Sequence, residues 1–141
     1  MASERASKAM TLSQYRALAD FRYELRRFLR YSEQISREHG VTPLQYQLLL
    51  QVKGYPGREH ATIGELAERL QAKHHGAVAL VSRCEEAGLV SRRTSDEDRR
   101  AVVVELTAKG ERLIEQLARL HRNELFAIQG RLLFPNPRSL E

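Results

Sequence analysis

The stretch TIGELAERLQAKHHGAVALVSRCEEAGLVSRRTSDEDRRAVVVEL, residues 62–106, decides the fold. The box Thr62-Ile63-Gly64-Glu65 is typical of a helix start, and it opens a short helix that ends near Leu70. A turn of three residues, 71–73, separates this helix from a second one predicted over 74–87. Two helices joined by so short a turn form a helix-turn-helix.

The second predicted helix has two unlike faces. Ala77, Val81 and Cys84 share one face, with Leu80 beside them, and we expect this face to pack on the first helix. We expect the opposite face to stay exposed, and it carries His75, Val78, Ala79 and Ser82, with Lys73 and His74 at its start and Arg83 at its flank.

A β-hairpin is predicted directly after the second helix. The runs 89–93 and 101–106 are β-prone, and they flank a charged tip over 94–100. A helix-turn-helix followed by a hairpin is a winged helix, whose second helix fits the major groove of DNA while the hairpin tip reaches the neighbouring backbone or minor groove. Winged helices also serve as protein-docking modules, so an adaptor without DNA binding is the alternative.

Long helices are predicted on both sides of this lobe. One covers 14–39, and another follows Thr107 over 108–134, where Pro135 forbids continuation. Between the first of these and the lobe, Thr42-Pro43-Leu44-Gln45 opens a helix to about Val52, and a loop runs to Ala61. A helix of this length reaches about 39 Å, more than a small domain spans, so we expect a second subunit to cover part of its apolar stripe.

Composition limits the class of protein. The chain of 141 residues fits one domain, 1–141, with a winged-helix lobe over 42–106 and the long helices as dimerisation elements. Its single cysteine excludes an internal disulfide and favours the cytoplasm. No apolar run approaches the roughly 18 residues that cross a bilayer, so no membrane partner is expected.

The net charge of +5 permits a polyanionic partner without requiring one. Within 73–100 the charges nearly cancel, because Lys73, Arg83, Arg92, Arg93, Arg99 and Arg100 face Glu85, Glu86, Asp96, Glu97 and Asp98. Only the arrangement of these charges, and not their sum, can create a basic face.

Three stretches resemble one known family. They are IGELAERL at 63–70, AVALVSRCEEAGLVSRR at 77–93 and, most specifically, SDEDRRAVVVELTAKG at 95–110, which resemble the multiple-antibiotic-resistance regulator (MarR) family of bacterial transcription factors. The resemblance implies a cytoplasmic homodimer that binds palindromic double-stranded operators, more often as a repressor than as an activator. It also implies release from DNA by a small, often aromatic, effector.

The resemblance assigns roles by position. Asp98 and Arg100 match the family's wing motif, in which the Asp steadies the tip and the Arg enters the minor groove, with Arg99 between them. The start of the second helix, 73–78, departs from the family, where Ser and Thr are commoner. The implied DNA-binding residues are Lys73, His74, His75, Val78, Ala79, Ser82, Arg83, Arg99 and Arg100. The residues expected to line an effector pocket are Phe28, Tyr31, Tyr46 and Leu117.

Other kinds of site are not expected. Adjacent histidines such as His74 and His75 point about 100° apart on a helix and cannot grip one metal ion together. Cys84 lies on the buried face, so core packing is favoured over redox sensing. The sequence contains no nucleophile elbow, phosphate loop, zinc-protease motif or dinucleotide fingerprint, so we expect neither an enzyme nor a cofactor.

Overall fold

The computed structural model describes residues 8–140, so residues 1–7 and 141 of the expected single domain lie outside the described part. The elements, in chain order, are α1 (Leu12–Glu38), α2 (Pro43–Lys53), β1 (His60–Thr62), α3 (Ile63–Arg69), α4 (His74–Glu86), β2 (Val90–Thr94), β3 (Val102–Leu106), α5 (Ala108–Ala127) and a 3₁₀ turn (Pro137–Leu140). The predicted class, a mainly helical winged helix-turn-helix, is confirmed. None of the described helices is long and apolar enough to cross a bilayer.

Reciprocal capping boxes start three of the helices. The two predicted boxes are confirmed, because the hydroxyls of Thr42 and Thr62 accept the backbone N–H groups of Gln45 and Glu65, each at 3.2 Å. A third box at Thr11 starts α1 at Leu12, two residues before the predicted start. Its Thr-x-x-Gln pattern was present in the sequence, so this boundary was readable from local residues alone.

The sheet has three strands rather than the two of the predicted hairpin. His60–Thr62, predicted as the end of a loop, forms β1 and pairs antiparallel with β3, giving the order β1-β3-β2. Ala61 faces Val104 in this register, and both side chains are fully buried. Partners more than 40 residues apart in the chain decide this strand, and three residues carry too short a pattern to predict it.

The last long helix is shorter than predicted. It ends at Ala127, with Ile128 as its C-cap, and does not continue to residue 134. Gly130 follows in the left-handed region, at a φ of 91°. Glycine readily adopts this conformation, so the chain turns there, before Pro135 can act as the stop.

The core lies within the winged-helix lobe. The predicted inner face of α4 is confirmed, since Ala77, Val81 and Cys84 are fully buried and Leu80 is nearly so. The larger fully buried side chains are Leu48, Leu49, Val52, Leu66, Val81, Leu89, Val104 and Leu117. The first half of α5 therefore belongs to the lobe, because Leu117 packs in the same core as the helix-turn-helix.

Candidate nucleic-acid interface

The outer face of α4 presents small and basic side chains. His74, His75, Ala79 and Arg83 are exposed, as is Lys73, the residue before the helix. Val78 and Ser82 are half-buried, and Val78 packs against the core. The exposed part of this face is therefore smaller than its helical period predicted.

The start of α4 carries no side-chain cap. Lys73 occupies the N-cap position, and its side chain accepts no hydrogen bond from the first turn. The N–H groups of a first turn have no partner inside the helix, and together with the helix dipole they favour an anion such as a phosphate. The exposed Lys73 and His74 stand at the same end of the helix.

The turn before α4 has a defined shape. Gln71 adopts a φ of 51°, the only described non-glycine residue with a positive φ, and its side-chain amide donates to Glu68 O at 2.8 Å. Ala72 N–H donates to Ala67 O at 2.9 Å across the turn. These bonds satisfy the end of α3 and set its angle to α4.

Hydrogen bonds within the wing tip order its backbone. The Asp98 carboxylate accepts the backbone N–H of Arg100 at 2.9 Å. The Ser95 hydroxyl accepts the N–H groups of Glu97 and Asp98 at 3.2 and 3.3 Å. Sequence reasoning missed Ser95, although a serine that begins a charged turn is a recognisable signal. The tip thus holds Arg99 and Arg100 outward on a folded turn.

Ion pairs neutralise two arginines at the base of the wing. Arg92 donates two hydrogen bonds to Glu85 at 3.3 and 3.0 Å, which lower the pKa of the Glu85 carboxyl and join the wing to α4. Arg93 donates to Glu105 at 2.7 Å and lies 3.9 Å from Asp96. Within residues 8–140, the basic side chains of this region without an ion pair are Lys73, Arg83, Arg99 and Arg100. The arginines at the wing base are thus paired with carboxylates, whereas Arg99 and Arg100 stand at the tip beside the exposed Asp96, Glu97 and Asp98.

Cys84 lies inside the lobe. Its side chain is fully buried, and burial raises the pKa of the thiol to about 12. A thiol in this state reacts slowly, because the thiolate is the reactive form. Among the described residues, no three His, Cys, Asp or Glu side chains come together as metal ligands.

The four residues expected to line an effector pocket separate into two pairs. Phe28 and Tyr31 border a cavity of about 490 Å³ between α1 and the end of α5. Tyr46 and Leu117 are buried in the core.

His121 links the two pairs and was missed by sequence reasoning. Its ring stacks on Tyr46 at 4.3 Å between centroids and meets the edge of Phe28 at 6.1 Å. Its Nδ1 lies 2.6 Å from Leu117 O, to which it donates, and its Nε2 lies 2.7 Å from the Ser32 hydroxyl. A lone histidine on an amphipathic helix carries no signal for these contacts, because its side-chain partners lie on other helices.

Comparison with known proteins agrees with this geometry. A model of the MarR family matches residues 39–101, the part that contains the helix-turn-helix and most of the wing. The putative transcriptional regulatory protein for the hcr operon of Thauera aromatica is 30% identical over 101 residues, which are 72% of this chain and 57% of that protein. The chain spans about half the length of the curated relatives it matches.

Solved structures share the fold over most of the chain. AbsC, a MarR family transcriptional regulator from Streptomyces coelicolor, aligns with a TM-score of 0.76 at 22% identity, over 95% of this chain and 88% of that chain. A mutant of MarR from E. coli, solved with operator DNA, aligns with a TM-score of 0.63 at 22% identity, over 82% of this chain and 78% of that chain. The helix-turn-helix and most of the wing thus match the model of the MarR family, and the fold is the one found in these MarR structures.

Proposed function

We propose that the chain binds double-stranded operator DNA as a homodimer, and that it represses transcription until a small aromatic ligand releases it. The observation that carries this proposal is the pairing of an uncapped, exposed start of α4 with a wing tip that holds Arg99 and Arg100 outward. An exposed helix fits the width of the major groove, and an exposed arginine at a hairpin tip suits the negative potential of the adjoining minor groove.

The two elements have different tasks in this proposal. His75 and Ala79 contact base edges, with Val78 and Ser82 behind them, while Lys73, His74 and Arg83 bind phosphates on either side. Arg100 enters the minor groove with Arg99 beside it, and Asp98 holds the turn. The E. coli protein solved with operator DNA supports DNA binding by this fold, since it shares the winged fold of this chain.

The dimer follows from apolar surface that the lobe leaves uncovered. Leu12 and Tyr15 near the start of α1 are 62% and 58% exposed, and Phe126 at the end of α5 is 68% exposed. Further exposed apolar side chains lie along α1 and beyond the end of α5, and exposed apolar surface of this extent marks a subunit interface. A twofold dimer also presents two copies of α4 to the two halves of a palindrome.

The ligand belongs, in this proposal, to the cavity that Phe28 and Tyr31 border. Their rings offer an apolar, aromatic wall to an aromatic ligand, and the cavity touches both α1 and α5. A ligand there changes the relation between the long helices and the lobe, and hence the spacing of the two recognition helices.

Paired variants test DNA binding. Arg100→Ala removes one charge at the wing, so it should weaken binding by about 1–3 kcal/mol on every operator-like sequence and reduce the salt slope by about one per subunit. His75→Ala should instead change the preference among sequences and leave the salt slope nearly unchanged. Fluorescence anisotropy on operator and scrambled DNA at several salt concentrations measures both effects.

Arg37→Ala is the matched control, because Arg37 is exposed on α1, far along the chain from the wing, and pairs with Glu33. It should bind DNA like the unchanged protein. If Arg100→Ala keeps both affinity and slope while its fold is intact, the wing does not bind DNA and the chain is a winged-helix adaptor for another protein.

A further inference from the structure

A second cavity lies on a different part of the molecule from the one beside Phe28 and Tyr31. It has a volume of about 470 Å³ and forms where the end of α1, the turn after α4 and the first turns of α5 meet. Small-molecule sites commonly have volumes of about 300–1,000 Å³. The site proposed for the aromatic ligand does not include any residue of this cavity.

The polar lining of this cavity carries two cations. Lys109 and Arg112 line it together with the imidazole of His39 and the amide of Gln116, and no carboxylate belongs to its described lining. His39 Nδ1 donates to Ile35 O at 2.8 Å, which leaves Nε2 as the ring nitrogen that can meet a ligand. The cavity therefore presents positive charge and hydrogen-bond donors without an acidic side chain to offset them.

Lys109 and Arg112 both keep N–H groups that can donate to a ligand. Lys109 Nζ donates to Ala87 O at 2.8 Å, and an ammonium has two further N–H bonds. Arg112 makes no ion pair within residues 8–140. The carboxylates of Glu111 and Glu115, its near neighbours on α5, pair elsewhere, with Lys53 at 2.9 Å and with Arg119 at 2.6 Å. An anion in the cavity would thus bind charges that no side chain already neutralises.

The remaining lining is mostly aliphatic. Val41 and Leu89 are buried, and Leu113 is half-buried. The His39 imidazole is the only ring among the described lining residues, in contrast to the aromatic wall at Phe28 and Tyr31. A flexible hydrocarbon chain packs on such a surface, and each buried methylene strengthens binding by roughly fourfold.

We propose that this cavity binds an aliphatic carboxylate. The carboxylate accepts hydrogen bonds from the Arg112 guanidinium and the Lys109 ammonium, and the hydrocarbon chain lies against Val41, Leu89 and Leu113. Arg112 supplies most of the discrimination, because a guanidinium can hold both oxygens of a carboxylate at once.

Lys109 of this site contacts the C-terminal end of α4, the helix proposed to enter the major groove. Ala87, the C-cap of α4, accepts a hydrogen bond from Lys109, so a carboxylate bound to the remaining N–H groups of Lys109 is linked through this side chain to the end of α4. The ligand would therefore change the position of α4 relative to α5 and with it the affinity for the operator. This consequence rests on the proposed function, whereas the binding site itself does not.

Titration of the full chain without DNA tests the site. Calorimetry should show saturable octanoate binding, weaker hexanoate binding by roughly 15-fold for two buried methylenes, and no comparable binding of octanol, which has the same chain and no charge. Nuclear magnetic resonance should place the octanoate shifts at Leu89 and Leu113.

Arg112→Gln should weaken octanoate binding by roughly tenfold or more, since it removes a charge-assisted hydrogen bond. Arg122→Gln is the matched control, because Arg122 is an exposed arginine further along α5 that does not line the cavity, and the variant should bind octanoate normally.

The proposal is overturned if octanol binds as tightly as octanoate, if Arg112→Gln keeps its affinity for octanoate, or if the octanoate shifts centre on Phe28 and Tyr31. Absence of saturable octanoate binding overturns it as well. The octanoate experiments test the cavity whether or not the chain binds an operator. If the protein without ligand does not bind DNA, only the proposed function is overturned.

Discussion

Gly110 lies where the first turn of α5 meets the backbone that follows α4. A Cβ atom at this position would stand 2.1 Å from Leu89 O, far inside van der Waals contact. The same junction contains two close hydrogen bonds, from Thr107 N–H to Leu89 O at 3.1 Å and from the Thr107 hydroxyl to Gly88 O at 2.6 Å. Only glycine allows the two backbones to approach this closely.

We therefore expect Gly110→Ala to lower the free energy of unfolding by at least about 1–3 kcal/mol, because backbone must move to admit the methyl group. Gly64→Ala is the control, since a Cβ at this helical position meets nothing within 4 Å. It should be neutral or stabilise α3 by up to about 1 kcal/mol. Urea unfolding of the three proteins measures both changes, and equal stability of Gly110→Ala and the unchanged protein would contradict the close approach.

Cys84 is a small side chain that fills space in the core. Because it is fully buried and its thiol pKa is raised to about 12, we expect thiol reagents to modify it slowly in the folded protein and rapidly in urea. Cys84→Ser should lower stability by about 1–3 kcal/mol through a buried hydroxyl, while Cys84→Ala should bind DNA normally. Release of DNA by peroxide from the natural protein, but not from Cys84→Ala, would identify a sensor instead.

At the scale of elements, capping groups connect helices to the loops before them. Glu65 closes the box at the start of α3, accepting the N–H of Thr62 at 2.9 Å, and it also pairs with Arg58. Arg58 in turn lies over the ring of Tyr55, at 4.5 Å from its centroid. One carboxylate thus holds both the first helix of the helix-turn-helix and the loop that precedes β1.

This arrangement predicts acid sensitivity. Partial burial opposes ionisation of Glu65, but hydrogen bonds from Tyr55, Thr62 and Arg58 outweigh it and lower the pKa from 4.5 to about 2. The folded state therefore takes up this proton at lower pH than the unfolded chain. The stabilisation is complete above pH 4.5 and is lost as the pH falls towards 2.

Glu65→Gln should remove this part of the pH dependence, and unfolding measured between pH 6 and about pH 2 tests it. Glu68→Gln is the control, since Glu68 is an exposed carboxylate on the same helix outside the capping box. Parallel stability curves for Glu65→Gln and the unchanged protein would refute the assignment.

At the scale of the whole molecule, part of the apolar surface of the long helices is buried in the lobe and part of it is exposed. Leu117 is fully buried in the core of its own lobe, so it cannot face a partner subunit, contrary to the simplest interpretation of the α5 stripe. The start of α1 differs, because Tyr15 and Leu18 are 58% and 40% exposed, and Phe134 beyond α5 is 87% exposed. These side chains lie where a second chain would cover them.

We expect sedimentation to show a homodimer at micromolar concentration. Leu18→Asp should shift it towards monomer, since it would bury a charge in the interface. Leu44→Asp provides the control, because Leu44 is an exposed leucine at the start of α2 in the DNA-binding lobe, and it should leave the dimer intact. A well-folded monomer of the unchanged protein would exclude the dimer.

Much of this architecture was determined by the sequence itself. The capping boxes at Thr42 and Thr62, the turn over 71–73 and the buried face of α4 depend on residues a few positions apart, so their patterns are complete in a short stretch of chain. The positions of the candidate DNA-contacting residues on α4 and at the wing tip follow from the same local patterns, together with the family resemblance.

Tertiary structure decided the features whose partners are distant in the chain. Strand β1 exists because β3 offers it an edge, and His121 has its role because α1 and α2 bring Ser32 and Tyr46 to its ring. The charge pairing of the wing was decided in the same way, because folding brought Arg92 to Glu85 and left the Arg100 side chain without an ion pair within residues 8–140. Composition counts charges, but only distances of a few ångströms in the folded chain decide which of them cancel.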